Sequence, residues 1–268
     1  MATPSRKRLF QMVPDIKLME DKKMRLNVLG SDSNGNCYIL QTDTEALIIE
    51  AGVRMSDVKK ALGWNISKVA GAVISHCHND HAKYIKDFMQ NGITVLALPD
   101  VFRAKGIQSL SFRKDIEANH GYIIGGFKIF AIPVCHDVPC LGFIIEHEEM
   151  GRLLFVTDTM MLEYSVPGLN HILLEANYAD DILDAKIDAG LVPASMKPRL
   201  IQSHMEIRTA KGILKANDLS GVNEIVLIHL SNGNSDEKRF IREVQEVTGK
   251  PVYVAAAGME LNLCKNPY

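Results

Sequence analysis

The tightest constraint on this chain is the hexapeptide His76-Cys77-His78-Asn79-Asp80-His81, which directly follows the apolar run Val69-Ala70-Gly71-Ala72-Val73-Ile74. Three imidazoles and one carboxylate within six residues, in a chain with nine histidines in all, read as a metal-ligand cluster and not merely as a polar loop. A buried strand ending in such a loop aims several ligands at one point. The fold must therefore provide a sheet edge there, and the rest of the site must arrive from elsewhere in the chain.

A core able to hold such an edge is available, because 47% of the 268 residues are hydrophobic. The formal net charge of −2 gives no overall positive field toward nucleic acid or acidic membranes, although a local basic face stays open. Cys37, Cys77, Cys135, Cys140 and Cys264 are an odd number without C-x-x-C spacing, which argues against a disulfide framework and an all-cysteine zinc site and suits a reducing cytoplasm. No apolar stretch approaches the roughly 20 residues of a membrane span, and the N-terminus lacks the apolar core of a signal peptide. The expectation is a cytoplasmic protein with no membrane and no obligate protein partner.

Residues 1–23, with Arg6-Lys7-Arg8, read as an N-terminal extension, and residues 24–268 as one domain. Short apolar runs at Leu26–Leu29, Cys37–Leu40 and Ala46–Ile49 predict a strand meander, with Gly30–Asn36 as a loop. Helices and strands then alternate: a helix from Ser56, the Ala70–Ile74 strand, a helix over His81–Gln90, strands at Ile93–Ala97 and Phe127–Val134, and a hairpin of Leu141–Glu146 with Leu153–Val156. Later elements are strands at Ile172–Leu174, Glu224–Ile228 and Val252–Ala255, and helices near Ala179–Ala189, Met205–Ala216 and Asp236–Thr248.

The remaining ligand types recur where these strands end. His136 follows Phe127–Val134, Asp158 follows Leu153–Val156, and His229 follows the strand closing at Ile228. With His76, His78, Asp80 and His81 they exceed the needs of one tetrahedral metal and suit two metals that share a bridging carboxylate.

H-x-H-x-D-H, a later histidine, a later aspartate and a final histidine, in this order, resemble the metallo-β-lactamase superfamily. Gly30-Ser-Asp-Ser-Asn-Gly-Asn36, Leu174-Glu-Ala-Asn177 and His229-Leu-Ser-Asn232 are similar to motifs of its small bacterial and phage branch, the YycJ-like (WalJ-like) proteins, for which a double-strand DNA 5′-exonuclease activity is described. The resemblance spans roughly residues 24–268. It implies a four-layer αββα sandwich, one metal on His76, His78 and His136, the other on Asp80, His81 and His229, and Asp158 bridging them. Tyr178 departs from the branch, where a histidine is expected, and so does His204-Met-Glu-Ile207, in place of His-Leu-Ser-Asn.

Two divalent ions lower the pKa of a shared water toward neutrality and neutralise phosphate oxygens, so hydrolysis through a metal-bridging hydroxide is the expected chemistry. Zinc is the first choice, with manganese or iron as alternatives. Ser203-His-Met-Glu206 has capping-box spacing, which predicts His204 in the first turn of a helix, where it would contact a phosphate or protonate a leaving oxygen. His204 and Asp80 are the catalytic candidates; Ser31, Ser33, Asn36, His204, Ser231 and Asn232 are the substrate-binding candidates, and Glu175 and Asn177 buttress ligands. Cys77 is read as a spectator. Arg103, Lys105, Arg113, Lys114, Lys197 and Arg199 are candidates for a basic track along DNA. The leading reading is a dinuclear phosphodiesterase or nuclease acting on DNA, 5′-exonuclease included; RNA, a cyclic nucleotide, a thioester, a lactone or a β-lactam are the alternative substrates. A dioxygen-reducing diiron protein of the same superfamily is disfavoured by His78, where that group has a glutamate.

Overall fold

The computed structural model of the protein describes residues 23–265. Arg6-Lys7-Arg8 and the rest of the expected extension up to residue 22 lie outside the described residues. The first half of the chain runs β1 (Met24–Asp32), β2 (Gly35–Gln41), β3 (Ala46–Ile49), α1 (Met55–Ala61), β4 (Val69–Val73), α2 (Asn79–Ala82), α3 (Ile85–Gln90), β5 (Val95–Ala97), α4 (Pro99–Ala104) and β6 (Arg113–Asp115). The second half runs β7 (Gly121–Ile124), β8 (Phe127–Val134), β9 (Cys140–His147), β10 (Gly151–Val156), β11 (His171–Glu175), α5 (Asp180–Asp188), α6 (Met196–Ser203), α7 (Ile207–Ala216), β12 (Glu224–Ile228), α8 (Glu237–Thr248), β13 (Val252–Val254) and β14 (Glu260–Leu263).

Two seven-stranded sheets result, in the orders β14-β1-β2-β3-β4-β5-β6 and β13-β12-β11-β10-β9-β8-β7. Leu26, Tyr38, Leu40, Leu47 and Val73 of the first sheet meet Phe127, Phe143, Phe155 and Val226 of the second in the central layer. Ile39, Ile48 and Ala72 point the other way, onto Val58, Ile85, Phe88 and Phe102 of the helices outside the first sheet. Leu154, Leu174, Ile225 and Leu227 likewise pack on Ile213, Leu214, Phe240 and Val244 of α7 and α8. Central strands are thus covered on both faces, which is why they read as continuous apolar runs instead of alternating ones. This is the αββα sandwich that the family resemblance implied.

β3 to β6 are parallel, and so are β10 to β13. Their carboxyl ends meet at one edge, the usual place for a site in open α/β sheets.

Two local expectations differ, and three edge strands and one helix have no counterpart among them. Gly30–Asn36 is no loop: β1 and β2 run into it, pairing Ser31 with Asn36 and Asp32 with Gly35, and only Ser33-Asn34 turn, with the Asn34 amide on the Asp32 carboxylate at 2.7 Å. The helix expected over His81–Gln90 is two pieces, α2 and α3. The edge strands β6, β7 and β14 lack a long apolar run, and β6 is Arg-Lys-Asp. Finally, α6 contains Pro198, tolerated because it lies in the first turn, where an N–H has no intrahelical partner to lose.

Candidate metal centre

β4 delivers His76 to His81, and β8, β10 and β12 each end just before His136, Asp158 and His229. The backbone is bent to aim them: Asp158 and His229 sit at φ +47° and +54°, a left-handed region that costs energy for residues with a side chain. Potential ligand atoms of His76, His78 and His136 lie within 4.8 Å of one another, and those of Asp80, His81 and His229 do so separately. His76, His81 and Asp158 form a third such group between them. All seven sequence-predicted ligand residues are therefore brought to one place.

Within this ring, Nδ1 of His78 faces Nε2 of His136 at 3.3 Å, and Oδ2 of Asp80 lies 3.2 Å from Nε2 of both His81 and His229. Nε2 of His81 is 2.9 Å from Oδ2 of Asp158. Nε2 of His76 is buried without a hydrogen-bond partner. A buried imidazole nitrogen left unpaired is costly unless something else occupies its lone pair. Together with the nitrogen and oxygen donor set, this orphaned atom fits a divalent cation.

The charges agree. Burial, with the His81 charge beside it, holds His76 well below the usual histidine range, and burial likewise lowers His136. Burial opposes the charges of Asp80 and Asp158, yet the neighbouring histidines outweigh it and keep both carboxylates ionised far below the ordinary range. His229 shows the mirror image: burial opposes its charge, Asp158 and Asp80 overcome it, and its pKa is pushed up to about 10. Ionised carboxylates and neutral imidazoles such as His76 and His136 are the forms that bind metals, whereas His229 would exchange its proton for the cation.

Behind the ring stand two buried carboxylates. Oε1 of Glu50 lies 3.5 Å from Nδ1 of His81, and Glu50 itself accepts from the Ser75 amide at 3.3 Å. Oε1 of Glu175 lies 3.4 Å from Nδ1 of His229 and 2.8 Å from Nδ1 of His204. Asn177 donates to the His229 carbonyl at 2.8 Å, so Glu175 and Asn177 do abut ligands as expected. Glu50 was not foreseen: one carboxylate after a strand carries no spacing signal. Asp137 was missed too, with Oδ1 at 3.1 Å from Nε2 of His136 and 3.4 Å from Nε2 of His78.

The ring opens into a cleft of about 560 Å³. Ser33, His204, Ser231 and Asn232 line it, joined by Met196, Arg199 and Leu200 of α6. Ser31 is not among the lining residues: its buried hydroxyl lies 2.8 Å from that of Tyr38 and accepts the His229 amide at 3.0 Å. Asn36 is fully buried, with Nδ2 3.1 Å from Nε2 of His81. His204 reaches the cleft by another route than expected. It terminates α6, while α7 starts at Ile207 with Glu206 as its cap, so no helix N-terminus presents it. Cys77 is half-buried against the core outside the first sheet.

The expected basic track is interrupted. Arg103 pairs with Asp100, Arg113 with Asp115 and Lys197 with Asp184, and Lys114 lies over the Tyr122 ring. Lys105 donates to Asn79 at 2.8 Å beside the cleft, and Arg199 lines it. A second cavity of about 620 Å³, over Ile123, Phe130 and Tyr164, has apolar walls and none of the ligand-type clusters. The chemistry is in the first.

The family model of the Metallo-beta-lactamase superfamily matches residues 30–170, more than half of the chain and inclusive of the H-x-H-x-D-H loop, His136 and Asp158. The chain belongs to this superfamily. Among curated proteins, this metallo-β-lactamase-fold chain is 24% identical over 261 residues to "Exodeoxyribonuclease YycJ" of Bacillus anthracis, covering 89% of this chain and 94% of that one. It is 21% identical over 179 residues to "Exodeoxyribonuclease WalJ" of Streptococcus pneumoniae, covering 62% and 66%. The resemblance to the YycJ-like branch is thereby borne out. Among solved structures, the metallo-beta-lactamase fold protein YhfI from Bacillus subtilis superposes with a TM-score of 0.69 at 18% identity, covering 90% of this chain and 99% of its own. Igni18, a metallo hydrolase from the archaeon Ignicoccus hospitalis, gives 0.62 at 15% identity, covering 90% and 98%. These two share the fold.

Proposed function

We propose that residues 24–268 form a dinuclear metal-dependent phosphodiesterase that hydrolyses DNA, as a cytoplasmic exonuclease. His76, His78 and His136 would hold one divalent ion, Asp80, His81 and His229 the other, and Asp158 both. Zinc suits the donor set, as do manganese and iron. Such a pair, when bound, would supply a nucleophilic hydroxide at neutral pH and neutralise charge on the phosphate.

The protein's own groups do the rest. Ser33, Ser231 and Asn232 line the cleft and would hydrogen-bond nonbridging phosphate oxygens. Asp80 holds its two histidines and would orient the reacting centre. Glu175 engages Nδ1 of His204, leaving Nε2, on the far side of the ring, for the substrate. Burial opposes charge on His204, but Glu175 and Asp158 outweigh it and raise its pKa, so the imidazolium is available to protonate the departing oxygen.

The observation that carries this reading is the convergence of seven ligand-type side chains from four stretches beside a cleft. The two relatives named exodeoxyribonucleases support DNA over RNA, a cyclic nucleotide, a thioester, a lactone or a β-lactam. The test is an assay of zinc- or manganese-reconstituted protein on end-labelled duplex DNA, single strands, RNA, a cyclic nucleotide and a β-lactam, with Asp80→Ala as control. Cleavage of DNA that disappears in Asp80→Ala is expected; turnover of the β-lactam or cyclic nucleotide with DNA and RNA intact would overturn the nuclease reading.

A further inference from the structure

We propose that α6 is a nucleotide-binding wall: Arg199 takes the phosphate next to the one being hydrolysed, and Met196 and Leu200 seat the nucleoside between the two. This rests on the phosphodiesterase reading and sharpens it to substrates with at least two linked phosphates.

Met196, Arg199, Leu200 and Ser203 all line the cleft. They follow i, i+3, i+4, i+7 spacing, so one face of the helix looks at the site. Lys197, off that face, pairs with Asp184 instead. The helix is tied to the metal centre at its end, because Nδ1 of His136 lies 3.0 Å from the Ser203 carbonyl oxygen. Arg199 comes four residues earlier, about 6 Å along the axis at 1.5 Å per residue. Its guanidinium therefore belongs to a position beyond the phosphate that the ligand ring would hold.

Charge and polarity fit this use. Among the described residues, Arg199 is the only lysine or arginine lining the cleft, and it makes no ion pair. A planar guanidinium without a carboxylate partner matches a phosphate in bidentate fashion. Met196 beside it is 41% exposed. An exposed, polarizable thioether and a half-buried leucine offer an adaptable apolar contact for base or sugar, and the neighbouring cation one for phosphate. A small diester with a single phosphate would touch only the ring; a strand would touch both.

The test uses the full chain reconstituted with zinc and compares kcat/KM on a trinucleotide, with two phosphodiesters, and on a dinucleotide, with one. Wild-type protein is expected to favour the trinucleotide at least tenfold, and Arg199→Ala to lose most of that preference; Lys197→Ala is expected to keep it. In parallel, the salt dependence of binding to a hydrolysis-resistant phosphorothioate oligonucleotide, read by anisotropy, should become shallower by about 0.7 in log–log slope in Arg199→Ala, the value of one phosphate contact on a single strand. An intact preference and slope in Arg199→Ala, or an equal loss in Lys197→Ala, overturns the role of α6 while leaving the phosphodiesterase reading in place. If wild-type protein cleaves neither oligonucleotide yet still cleaves duplex DNA, the wall alone is overturned; if it cleaves no nucleic acid at all, the phosphodiesterase reading fails, and the wall with it.

Discussion

Glu175 and His204 are joined across the cleft floor, Oε1 to Nδ1 at 2.8 Å, while the other oxygen of Glu175 accepts from the Thr159 amide at 3.0 Å. The same Oε1 lies 3.4 Å from Nδ1 of His229, so one buried carboxylate sets the orientation of two imidazoles. Glu175→Gln keeps the shape and removes the charge. Loss of such a partner commonly costs 10–100-fold in metal affinity or activity, so a fall of about that size is expected in zinc affinity by competition with a chelating dye. Zinc affinity within twofold of wild type would contradict it.

Gly52 shows how closely the ligand loop is gripped. A Cβ at this position would lie 1.8 Å from the carbonyl oxygen of Asp80, and the Gly52 amide donates to Asn36 at 2.9 Å while the Ala51 amide donates to the His81 carbonyl at 2.7 Å. Gly52→Ala must push the loop off these anchors, and backbone cannot move as a side-chain tip can. Reduced metal content by elemental analysis, with a loss of stability of about 1–3 kcal/mol in urea unfolding, is the expected result.

Thiol reactivity follows burial. Cys37 and Cys140 are buried, and desolvation pushes both thiols far above the ordinary range, with the nearby acidic groups adding to it. Cys135 is exposed, and Cys77 and Cys264 are half-buried. Titration of the native protein with a chromogenic disulfide should modify Cys135 fastest and leave Cys37 and Cys140 unmodified until denaturant is added.

Tyr178 gives a pH dependence with a defined sign. Burial, reinforced by Asp180 and Glu206, pushes its phenol up to about 12, above the unfolded value of about 10. A group raised in the folded state contributes stability that is fully present below the unfolded pKa and lost as pH climbs through the folded one. Urea midpoints should therefore fall between about pH 10 and 12, and Tyr178→Phe should show a shallower fall over that window.

Much of this was legible in the chain itself, for definite reasons. Runs such as Ala46–Ile49 and Glu224–Ile228 face two apolar layers, so their composition alone marks them as strands. His76, His78, Asp80 and His81 betray themselves by spacing, and His136, Asp158 and His229 by following strands. The approach of the ligand loop to Glu50 and Gly52 depends on the packing of separate elements, which no local pattern records. The helix at Met205 was misplaced because Ser203 and Glu206 mimic a capping box, whereas Glu206 is itself the cap of α7, its side chain accepting from the Arg208 amide. α6 has no counterpart in the sequence reading, and its Pro198, in the first turn, is no helix-forming signal.

The central claim, that seven side chains from four stretches hold two divalent ions, is tested most directly by native mass spectrometry of the protein after dialysis against zinc. Two ions per chain, falling to one or none in Asp158→Ala with the fold retained by circular dichroism, is the predicted result. A wild-type chain that carries no zinc, or saturates at one ion, would contradict it.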